Sequence, residues 1–140
     1  MERAADRLEA ELESLTERIA RTVIERVPEY QHDPVAQAML LPLVRQNSDE
    51  VLRVFRGIET TTAAARNVAL VDAVATTLSL DAVEQTFAIA RDIYADRLRE
   101  LAGEGEDLAA PLQRLGEAYA MVIDAIREEY RDAKSRLPPD

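Results

Sequence analysis

The stretch "LAAPLQRLGEAYAMVIDAIREEYRDAKSRL", residues 108–137, decides the fold class of this 140-residue chain. Its apolar positions are Leu108, Leu112, Leu115, Tyr119, Val122, Ile126, Tyr130, Ala133 and Leu137. With one exception they alternate steps of four and three, the spacing that puts side chains on one stripe of a helix and, sustained over several turns, makes a heptad-like seam. The pattern predicts a long C-terminal helix starting near Pro111. It also marks Leu108, Leu112, Leu115, Val122, Ile126 and Tyr130 as a seam for dimerisation or signalling, because the stripe continues past what a small core needs.

Upstream, the same periodicity repeats. Leu80, Val83, Phe87, Ala90, Tyr94, Leu98 and Leu101 form a second stripe that stops at "GEGED", with Asp81 and Glu84 spaced as a capping box. The segment Thr60 to Leu78 is rich in Ala, Thr and Val, small side chains that let another helix approach closely; Thr76 and Thr77 read as cap and packing residues. Leu8, Leu12, Leu15, Ile19, Val23 and Val27 give one helix ending at Pro28. Asp33-Pro34 reads as an N-cap with proline in the first turn of the next helix, which Pro42 must kink or restart and which runs to Gly57. Hairpin signals are missing and only four glycines are present, so nothing points to a sheet. The expectation is all-α: a bundle of five to six helices with a long C-terminal helix. It forms one domain over residues 1–137, and 138–140 begin a linker or end the chain.

Composition bounds the chemistry. There is no cysteine, which excludes disulfides, thiolate metal sites and a cysteine nucleophile. The N-terminus is charged throughout and no run nears the roughly 18 apolar residues of a membrane helix, so the expected location is cytoplasmic. Net charge is −10, and the 17 basic residues are all Arg except Lys134. Phosphate binding depends on cationic side chains displacing counterions, so the acidic balance argues against nucleic-acid contact.

"VPEYQHDP", residues 27–34, holds the only histidine. Glu29-x-x-His32 has the spacing of a carboxylate-bridged metal bundle, but such a site needs a second His-bearing helix. The motif also lies between Pro28 and Asp33-Pro34, where the residue before proline leaves helical geometry. It reads as a corner. Neither haem nor metal is expected, and no phosphate loop or serine elbow is present, so no catalytic residue and no cofactor is assigned. The polar and aromatic side chains on the stripes are the sensing candidates: Phe87, Arg91, Tyr94 and Tyr119 could form a small pocket in which Arg91 holds an anion, or Arg91 pairs with an acidic neighbour.

Three stretches carry a family resemblance: "IARTVIERVPEY" with its Pro-x-Tyr corner, "LVRQNSDEVLRVFRG", and "LSLDAVEQTFAIARDIYADRL" with Leu80, Val83, Thr86, Phe87 and Ala90. From about Leu15 to Arg131 the chain resembles the helical N-terminal (RsbRD N-terminal-like) domain of PucR/CdaR-type bacterial transcription regulators. The resemblance implies a non-catalytic sensory and dimerisation domain. In the related RsbR proteins the domain is dimeric and globin-like without haem, ahead of a separate output domain. It lends no ligand site. The expected function is relay of an unknown small-molecule or protein signal through the C-terminal helix, as a homodimer built on the first and last helices. The alternatives are a free-standing adaptor binding a partner protein through the same seam, and a small-molecule carrier with a pocket beneath Phe87 and Tyr119.

Overall fold

The computed structural model describes residues 2–57, 68–103 and 105–136, without the side chains of Glu2 and residues 68–72. Among these residues the chain is all-α, in the order α1 (Glu2–Ala10), α2 (Leu12–Arg26), α3 (Pro28–Gln31), α4 (Pro34–Phe55), α5 (Val68–Thr77), α6 (Leu80–Leu101) and α7 (Ala109–Arg136). Residues 60–67 of the expected third helix, Leu137 at the end of the seam, and the linker 138–140 lie outside the described residues.

The seven helices arise from the expected plan by two subdivisions. The first stripe is divided at Glu11 into α1 and α2, and the Pro28 corner closes into the single turn α3. Pro28 and Pro34 each take the first helical turn, where a missing N–H is no loss. Asp33 caps α4 as its sequence predicts, its carboxylate accepting from the Val35 and Ala36 N–H groups at 3.0 and 3.1 Å. Losing such a cap costs about 1 kcal/mol. Asp33→Ala should therefore lower the melting temperature by about 4 °C, read by circular dichroism, whereas Asp33→Asn should hold it.

Of the two expected outcomes at Pro42, a kink or a restart, the restart does not occur: α4 continues through it. Both Pro42 and Ala38 are exposed, so water can take the Ala38 carbonyl that proline leaves without a donor. At the other end Gly57 adopts φ +83°, donating to the Val54 carbonyl at 3.0 Å. That left-handed conformation suits glycine and closes the helix. The N-cap of α6 is Ser79, whose hydroxyl accepts from the Ala82 N–H at 3.1 Å; the Asp81–Glu84 capping box is not formed. Glu84 reaches across to Arg127 of α7 instead.

One core runs through the bundle, joining α1, α2, α4 and α6 to α7. Helix α4 packs on α1, α2, α3, α5 and α7, and α7 packs on α4, α5 and α6. A second small cluster, Ala75, Tyr130 and Ala133, carries the packing of α7 onto α5.

Candidate functional site

Three of the four residues expected to form a pocket do meet. Phe87 and Tyr94 sit two turns apart on α6 and face Tyr119 on α7, with ring centroids 6.5 and 6.3 Å from Tyr119. The Phe87 contact is edge-on at 68°, the arrangement that aligns a ring edge with a ring face. All three are buried. They form an aromatic centre within the core, with Tyr119 between the two rings of α6.

Arg91 is not part of this group. The buried stripe of α6 includes Val83, Thr86, Phe87, Ala90, Ile93 and Tyr94, which places its centre on Ala90. At about 100° per residue, Arg91 falls on the rim of that stripe. Its side chain is 46% exposed and pairs with Asp92 at 3.4 Å. The acidic-neighbour alternative describes it, with Asp92 as the partner.

The polar atoms of this core are unevenly satisfied. Tyr94 Oη donates to Ser48 Oγ at 2.6 Å, joining α6 to α4. Tyr119 Oη is buried with no hydrogen-bond partner among the described residues. Tyr30 Oη lies beside Thr86 but makes no hydrogen bond of ordinary geometry; the Thr86 hydroxyl donates to the Ala82 carbonyl at 2.9 Å. Burial disfavours the phenolate in each case. It pushes Tyr94 up to about 12, raises Tyr119 well above the ordinary 10, and raises Tyr30.

The seam of α7 is internal. Leu115, Val122, Ile126 and Tyr130 are buried against the chain's own helices, and Leu112 is half-buried against the same core. Leu108 precedes the helix and is half-buried. The expected seam for a dimer or an adaptor's partner is thus used to hold the domain together. The spacing is that of a coiled coil, but a helix central to a bundle needs the same stripe for its own neighbours. The far end of α7 is tied down as well: Tyr130 Oη donates to the Leu78 carbonyl at 2.5 Å, at the break between α5 and α6.

The Glu29-x-x-His32 corner also resolves. Glu29 accepts from the Ser79 N–H at 3.0 Å and from the Ser79 hydroxyl, so its carboxylate sits at the N-terminus of α6, where the helix dipole favours negative charge. His32 is the exposed C-cap residue of α3. No cluster of three or more metal-ligating side chains occurs among the described residues. Glu29 and Tyr130 hold the α5–α6 break from two sides, a role invisible to spacing because each partner lies about fifty residues away.

Two open clefts lie elsewhere, between the α1–α2 junction and the outer face of α4. One, of about 510 Å³, is floored by Leu12 and Leu52 and edged by Glu9, Asp49, Arg53 and Arg56. The other, of about 490 Å³, shares Glu9, Leu12 and Asp49 and adds Glu13, Thr16 and Arg45. Among the described residues no helix is long and apolar enough to cross a membrane. Compared with protein families, curated proteins and solved structures, the chain finds no match.

Proposed function

We propose that this chain is a non-catalytic, self-associating input module, of the kind that precedes the output domain in PucR/CdaR-type transcription regulators. The observation that carries the reading is the placement of α7. This 28-residue helix touches α4, α5 and α6, and its Tyr130 is bonded to the carbonyl at the α5–α6 break. A displacement of either end is therefore felt across the bundle, as a relay requires. The exposed His32, the outward Arg91 and the burial of the aromatic centre in the core support a module without chemistry of its own.

The test is the size of the native chain in its own cell, by immunoblot. A species far heavier than the 15.6 kDa of these 140 residues is expected, carrying the output domain that receives the relay. A native species of that mass alone would remove the relay.

A further inference from the structure

A single residue separates α1 from α2. Glu11 leaves helical geometry (φ −112°, ψ 13°) and provides no side-chain cap for α2. Local sequence gives no reason for the break. "RLEAELESL", residues 7–15, has neither Gly nor Pro and consists mostly of strong helix formers. Leu8, Leu12, Leu15 and Ile19 are also in register for one unbroken helix. Tertiary contacts must hold the elbow.

Those contacts are few. The buried residues of α1 are Ala4, Ala5 and Leu8, and it packs on α6 and α4. Around them lies a rim of ion pairs: Arg7 with Glu106 at 2.9 Å, Asp6 with Arg56 at 2.8 Å, Glu9 with Arg56, and the elbow's own Glu11 with Arg97 at 2.8 Å. Such partly exposed pairs are individually weak and screened by salt. Two open clefts lie beside the elbow, between it and α4.

We propose that α1 is an exchangeable arm, which swings out to continue α2 as one helix and docks in the same groove of a second copy, giving a symmetric arm-exchanged dimer. The occupant follows from the groove. The surface of α6 and α4 already takes Ala4, Ala5 and Leu8, with Glu106, Arg56 and Arg97 pairing at its edge, and a second copy's α1 offers the same residues. A one-residue hinge made of helix formers favours the straightened state, and exchange closes on itself by a twofold axis. Opening alone would expose Ala4, Ala5 and Leu8, so the open arm is satisfied only by a partner. This inference rests on the self-association half of the proposed function and not on the relay half.

Charge complementation tests it. Arg7→Glu and Glu106→Arg each bring like charges together, whether the arm docks at home or on an identical copy. Mixing the two variants restores both attractions only when arms cross between the two kinds of chain. After joint unfolding and refolding, native mass spectrometry should find the heterodimer enriched about tenfold over either homodimer. Two monomers, or dimers in statistical proportion, would overturn the exchange.

A second measurement avoids both substitutions. The Glu106 carboxyl is held below the ordinary carboxylate range by its hydrogen bonds from Arg7 and the Gly103 N–H, with Arg3 near enough to add to the lowering, and the sequence contains no cysteine. In a mixture of Arg3→Cys chains carrying a donor dye and Asp107→Cys chains carrying an acceptor, the heterodimers, resolved molecule by molecule, should show energy transfer as high as a single chain bearing both. Weak transfer in a dimer would overturn the exchange and leave self-association standing. No dimer at any concentration would overturn both.

Discussion

Raising the pH from 10 to about 12 should unfold this protein, with its tyrosines ionising as it unfolds and not before. All four tyrosines, Tyr30, Tyr94, Tyr119 and Tyr130, are held above the ordinary value of 10, with burial the leading cause in each. An acid whose folded pKa is raised stabilises the fold in its neutral form. That stabilisation is whole below pH 10 and declines as the pH climbs through the folded value. For Tyr94, pushed to about 12, the loss approaches about 3 kcal/mol. Tyr119 adds to it in the same direction. Domains of this size are typically stable by only about 5–15 kcal/mol, so the loss should bring collapse. The chain has no tryptophan, so tyrosinate absorbance can be followed cleanly beside helical circular dichroism. The two should change together. Full ionisation near pH 10 with the helices intact would show that these rings are open to water.

The aromatic centre should respond unequally to small changes at its three rings. Tyr119→Ala should cost about 3–5 kcal/mol in urea unfolding, because it removes a buried ring against which both Phe87 and Tyr94 pack. Tyr119→Phe should be neutral or stabilising, since it deletes a hydroxyl that has no partner among the described residues and keeps the ring. Tyr94→Phe should cost about 1–2 kcal/mol, because Ser48 Oγ, itself buried, loses its donor. If Tyr119→Phe proved as damaging as Tyr94→Phe, the Tyr119 hydroxyl would have to be bonded in the folded protein.

Much of this fold is legible in the sequence because helix formation is local. The four-three steps from Leu112 to Ala133 place α7, and Asp33-Pro34 places the start of α4 with its cap. Phe87, Tyr94 and Tyr119 are readable as neighbours since each falls on an apolar stripe. What periodicity does not show is which stripe faces which neighbour. The α7 stripe has the spacing of a free seam, yet α4, α5 and α6 cover it. Arg91 lies between two aromatic residues in sequence and still points outward, because its stripe is centred on Ala90. The break at Glu11, the Glu29–Ser79 contact and the Arg7–Glu106 pair depend on residues distant in the chain, so no local pattern announces them.

With the α7 stripe turned inward, the proposed joint between two copies is the arm α1, held at home in part by ion pairs that salt weakens. The most direct measurement is sedimentation velocity on the wild-type chain at tens of micromolar, at low and high salt. A species of twice the 15.6 kDa chain mass is expected at low salt, with its fraction changing as salt rises. A monomer at every concentration and salt would contradict the self-associating module.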